Sequence, residues 1–196
     1  MRMAVDIAMT ILSIILMGGT VLFPDDRVHQ VLGMVLLVLW AVHTVLHRRW
    51  YRTLFKGKYN PNRIIQLVIN LGITISCVLV MVSGMSMAWF IPSGFGLNYA
   101  RAIHLVSSHW YYLFMCTHLG MHLSMMHIPK AILFPLGLYG IYAFIIRGLW
   151  RYLFLSQQFF FLDLERGYLL FAVDYIAILA LFAGLVHILR SIHYEK

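Results

Sequence analysis

Apolar positions along this chain gather into six long blocks separated by short polar breaks. The blocks cover about 4–23, 28–47, 65–91, 102–126, 129–147 and 168–190. A helix needs roughly 20 mainly apolar residues to cross the hydrocarbon core of a bilayer. Each block meets that length, so the pattern predicts an all-α integral membrane protein, a bundle of six transmembrane helices. The first block is too long for a simple secretory signal peptide and has no small-residue cleavage site. It reads as the first span.

Composition supports the membrane class. Of 196 residues, 62% are hydrophobic and 11% charged, against about 25% charged in soluble domains. There is too little polar surface to cover a water-soluble globule. The net charge of +8 does not point to nucleic acid, because most of it sits in one loop, HRRWYRTLFKGKYNPNR. That loop carries Arg48, Arg49, Arg52, Lys56, Lys58 and Arg63 and no acid. Short loops rich in Lys and Arg stay cytoplasmic. The expected setting is the cytoplasmic membrane, crossed several times, with both termini inside and Asp25 and Asp26 outside. Lys130, Arg190 and Lys196 then fall inside. Arg101, Arg147, Arg151 and Arg166 fall outside, against the rule. Membrane lipid is the expected surround, and the basic loop can meet anionic headgroups.

The polar residues inside the blocks carry the chemistry. Residues 29–47 read HQVLGMVLLVLWAVHTVLH, and residues 104–122 read HLVSSHWYYLFMCTHLGMH. Both fit H-x13-H-x3-H at an offset of 75 positions. His29 matches His104, His43 matches His118 and His47 matches His122. Only 10 residues of 196 are His, so three coincidences at one offset are not expected by chance. The preceding blocks also correspond loosely, ending GGTVLFP and SGMSMAWFIP. The pattern predicts a two-helix unit used twice (about 4–47 and 65–122). It makes 1–127 a four-helix domain, and 128–196 adds two helices.

Geometry says what the repeat can do. Fourteen helical residues rise about 21 Å and come within about 40° of whole turns. His29 and His43 therefore lie on nearly one face at two depths, as do His104 and His118 on a parallel helix. Facing each other, these helices pair His29 with His104 and His43 with His118. Two opposed imidazoles are the axial set of a bis-histidine haem iron, and bundles build cofactor sites between facing helices. Two b haems are expected. Gly18, Gly19, Gly33, Gly84 and Gly120 lie where a porphyrin could approach backbone, although glycine also serves close helix packing. A histidine in a span can instead be a hydrogen-bonded packing residue, but ionisable groups there mark function by default.

At these residues the chain resembles the bacterial flavinylation-associated cytochrome family, membrane proteins akin to di-haem cytochromes b. The likeness rests on H-x3-G, on H-x3-[NH]-R-x-W-Y, and on A-R-x-x-H…H-x-G-x-H. It runs over about 4–127, with a weaker echo in YGIYAFIIRGLWRYLFL and FAVDYIAI. It implies haem ligands among His29, His43, His104, His118 and His122, and an extracytosolic flavoprotein or iron–sulfur protein as electron acceptor. The donor would be a quinol or a reductase. His47 stands where relatives often carry Asn, and His109 where they often carry an aromatic residue or Ser. His122, His47, Arg48 and Arg49 would contact a haem propionate or a quinone. His47 and His122 are also an alternative inner pair.

Other features read more plainly. Cys77 and Cys116 are packing residues, not a metal or disulfide pattern. The MHLSMMH cluster is packing rather than a copper site. His127 and His193 sit at span ends, and His187 faces the core or a subunit. LSQQFFFLDLERG is an interfacial turn, with Phe159, Phe160 and Phe161 available to a partner. Asp174 would pair with an arginine or carry protons. No flavin is expected on the chain. The rivals to an electron-transfer cytochrome are a quinone-reactive haem anchor subunit and a haem-free transporter or proton channel, for which the repeat has no obvious use.

Overall fold

The computed structural model describes residues 2–23, 25–54, 56, 59–91, 97–123, 130–161 and 167–194. Among them the secondary structure is helical, with no strand. The helices are α1 (Arg2–Leu16), α2 (Asp26–Leu46), α3 (Arg48–Thr53), α4 (Pro61–Ser86), α5 (Leu97–Leu123), α6 (Lys130–Ile146), α7 (Leu149–Leu153) and α8 (Gly167–Tyr194). Local chemistry fixes their ends. The Asp25 carboxylate accepts from the Arg27 N–H at 2.8 Å and opens α2. The Asn60 side chain does the same for Arg63 at 2.8 Å. Pro61 then supplies the first residue of α4, where its missing N–H costs nothing.

Among the described residues, three helices are long and apolar enough to cross a membrane: α2, α4 and the Gly167–Leu189 part of α8. Their outer faces expose large aliphatic side chains, among them Val38, Val45, Ile75, Val82 and Leu169. Burial in lipid explains such faces better than water does. With 27 residues, α5 is long enough but more polar. Its Ser107, His109, Tyr111 and Tyr112 are buried inside the bundle.

The sequence blocks differ from the helices in three places. The first block was expected as a span over 4–23, but α1 ends at Leu16 and the chain turns through Met17–Gly19 into a short 3-10 turn at Thr20–Leu22. Gly19 has φ +61°, and a Cβ there would stand 3.0 Å from the Phe160 ring. The left-handed backbone is open to glycine at no steric cost, and Phe160 from a distant segment packs against that turn. The basic loop is partly helical, as α3. A second short helix, α7, starts after Gly148 at φ +62°.

The packing makes two hairpins, α1 with α2 and α4 with α5, and α8 joins α5 to α6. One core joins α1, α2, α4 and α5 through Leu12, Leu36, Cys77 and Tyr111. Another joins α5 to the C-terminal helices through Tyr112, Cys116, Ala143, Leu149 and Tyr175. Both cysteines are free and buried. Gly120 and Gly140 are packing glycines, since a Cβ on either would strike the α8 backbone at Ala183 or Ala177.

Asp174, fully buried on α8, accepts a hydrogen bond from the Tyr139 hydroxyl at 2.6 Å and one from Arg147 Nε at 2.8 Å. Of the two roles considered for it, the arginine partner is present. Both charges are buried, so removing either would strand the other at a cost of about 3–5 kcal/mol.

Candidate functional site

Two pairs of imidazoles lie between α2 and α5. The His29 and His104 ring centroids are 6.3 Å apart with planes at 73°. Those of His43 and His118 are 6.4 Å apart at 76°. The helix rise separates the two levels by about 21 Å. The two helix backbones form no close packing interface of their own, which leaves room between them for the rings.

Neighbouring helices orient three of the four rings in the same manner. His104 Nδ1–H donates to the Val80 carbonyl of α4 at 3.0 Å. His118 Nδ1–H donates to Asn70 Oδ1, also of α4, at 2.9 Å. His43 Nδ1–H donates to Asp6 Oδ1 of α1 at 2.7 Å. Each partner accepts through oxygen, so the proton sits on Nδ1; that leaves the Nε2 lone pair of His43 and His104 for an electrophile, while His118 Nε2 accepts from His122 Nε2 at 3.3 Å. Metal-bound histidines are held in this way. His29 differs: its Nδ1 is buried without a hydrogen-bond partner, near the Gly19 backbone carbonyl.

Around His29 and His104 lies a cavity of about 550 Å³, lined by Met17, Gly33, Leu36, Gly84, Tyr111 and Phe160 as well as the two histidines. That is within the range of small-molecule and cofactor sites, about 300–1,000 Å³. A Cβ on Gly33 would meet nothing within 4 Å, whereas one on Gly84 would press on the His104 ring at 3.1 Å. Gly33 thus borders open space, and Gly84 makes room for a histidine. His109 lines the same cavity. It is buried, donates from Nδ1 to the Leu105 carbonyl at 2.7 Å and stacks on Tyr152 at 4.4 Å.

The other level is crowded. His47, between α2 and α3, stacks on His43 with centroids 4.5 Å apart. His122 Nε2 comes within 3.3 Å of His118 Nε2. Arg49 and His47, with Arg2 and Trp50, line a second cavity of about 400 Å³. Arg48 is exposed on α3 and does not line it. His187 lies on α8 with Nδ1 buried and unpartnered. His127 lies outside the described residues, as does residue 162–166 of the LSQQFFFLDLERG turn. Phe159 and Phe161 are exposed there, while Phe160 turns inward toward His109.

Sequence reasoning missed Asp6, Asn70 and the Val80 carbonyl. Asp6 is the one acid in α1, and Asn70 an amide deep inside α4. Each is a polar residue in an apolar helix, a signal present in the sequence without its partner. No family model, no curated protein and no solved structure matches this chain.

Proposed function

We propose that the protein is a membrane b-type di-haem cytochrome that moves single electrons across or within a six-helix bundle. His29 with His104 would hold one haem, and His43 with His118 the other. The observation that carries this reading is the separation of the rings. Two metal–nitrogen bonds of about 2 Å each, with about 1 Å from each nitrogen to its ring centre, call for centroids about 6 Å apart. Both pairs stand near that separation, edge to face. The cavity at the first pair and the three oriented Nδ1–H groups support the same reading.

Haem, when bound, supplies a one-electron couple. The chain's own work is to hold and tune it. Val80, Asn70 and Asp6 fix the rings, and the apolar walls between α2 and α5 exclude water. With the basic loop inside, the His43/His118 level faces the cytoplasm and the His29/His104 level faces out. The resemblance supports a quinol or reductase as donor and an extracytosolic flavoprotein or iron–sulfur protein as acceptor. The cavity beside His47 and Arg49 favours, as a second reading, a quinone-reactive anchor subunit of a larger oxidoreductase.

A pyridine haemochrome assay with a reduced-minus-oxidised spectrum on the purified chain tests this. Two b haems per chain are expected. A colourless protein would overturn the reading and favour a transporter that uses its histidines for protons.

A further inference from the structure

His43 on α2 and His47, the residue that caps its C-terminal end, stand four residues apart, and their rings stack with centroids 4.5 Å apart. Asp6 of α1 meets them, and one donor atom from each of Asp6, His43 and His47 lies within 4.8 Å of the other two. Donors on one tetrahedral cation sit about 3.3 Å apart for bonds near 2 Å, so small side-chain rotations close the gap. His47 Nε2 is buried and has no hydrogen-bond partner. Such an atom calls for an explanation, and a cation is one. All three residues are half-buried, which leaves a path from solvent.

We propose that Asp6, His43 and His47 bind one divalent transition-metal ion of the borderline class, such as zinc. Two imidazoles and a carboxylate suit zinc and its neighbours. Calcium and magnesium demand more oxygen ligands. Arg2 and Arg49 oppose a cation, since both line the neighbouring cavity. Their side chains are exposed and their fields screened by salt, whereas coordinate bonds are not. A bound ion takes the carboxylate that otherwise orients His43, so it would compete with ligation by His43 at that level. The site shares His43 with the proposed His43/His118 pair and adds Asp6 and His47, which neither pair uses, so it is also tested in His118→Ala, where His43 is released from that pair.

The test uses the full chain in detergent, without a polyhistidine tag and stripped with a chelator. Co2+ is titrated in and followed by its visible d–d absorption, and Zn2+ is then added as competitor. One Co2+ per chain, displaced by Zn2+, is expected. Asp6→Asn and His47→Ala should each weaken binding at least tenfold. Zn2+ should raise the melting temperature of the wild-type chain and leave that of Asp6→Asn unchanged, with size-exclusion profiles confirming that both variants fold. Absence of Co2+ binding in both the wild-type chain and His118→Ala, or binding kept by both Asp6→Asn and His47→Ala, overturns the proposal. Haem is counted on the same samples. Haem without Co2+ in both the wild-type chain and His118→Ala sinks the metal site alone, and Co2+ without haem sinks the cytochrome reading and leaves the metal site standing.

Discussion

The two histidine pairs share a motif and nearly the same ring separation, yet their surroundings differ. His29 and His104 border a cavity of about 550 Å³, and the oriented ring of the two rests on a neutral backbone carbonyl. His43 and His118 stand among other imidazoles, with His47 stacked on one and His122 touching the other. One of their orienting partners is a carboxylate. The repeat sets where the imidazoles meet, and the helices packed around them set what each pair can do. A carboxylate partner makes an imidazole a more basic ligand than a carbonyl does. If both levels carry haem, the second should therefore be the harder to reduce.

Truncating a ring breaks the comparison most completely. His104→Ala should leave one haem per chain, held at the second level, and His118→Ala one haem held at the first. The two residual spectra and midpoint potentials should differ. Identical remaining potentials in the two variants would refute the claim that environment separates the levels. Filling the cavity is a subtler break. A Cβ on Gly33 meets nothing within 4 Å, so Gly33→Leu should fold normally, and replacing glycine within a helix gains up to about 1 kcal/mol. It should nevertheless lose the first haem and keep the second, as read by haem count beside thermal unfolding. A full haem complement in Gly33→Leu would mean that the cavity is not where the cofactor lies.

How much of this was legible beforehand depended on how far apart the interacting residues lie. The apolar blocks announced α2, α4 and α8, because the pattern that makes a span is local. The H-x13-H repeat put four histidines at two matched levels, because a helix turns its own periodicity into a face. The end of α1 was not legible. Leu16 is followed by a turn that Gly19 permits, but Phe160, which packs there, comes from another part of the chain. Asp174 showed as an unexplained charge, and only the fold brought Arg147 and Tyr139 to it. Asp6 and Asn70 were hidden for the same reason: a polar residue in an apolar helix has no assigned partner until helix packing fixes the register.

Those two residues give the finer tests. Asn70→Ala removes the acceptor from the His118 Nδ1–H and leaves a donor unpaired. Loss of such an orienting partner typically weakens a metal site 10–100-fold, so haem affinity at the second level should fall by that order while the first is unchanged. Competition for haem by apomyoglobin would measure it, and equal loss from both levels would point to a general defect in folding.

The smallest effect is expected from Asp6→Asn. The amide keeps the hydrogen bond to His43 and removes the charge. A charge-assisted bond exceeds a neutral one by about 1 kcal/mol, and for a one-electron couple 59 mV corresponds to a tenfold change. The potential of the second haem should therefore rise by about 40 mV, with the first unmoved, in a spectroscopic redox titration. The direction follows from charge: a carboxylate near the ligand favours the oxidised, more positive iron. An upward shift confined to one component would tie Asp6 to the His43 level. A shift shared by both would make it a general field effect, and no shift would refute a charge on Asp6 acting on the His43 level.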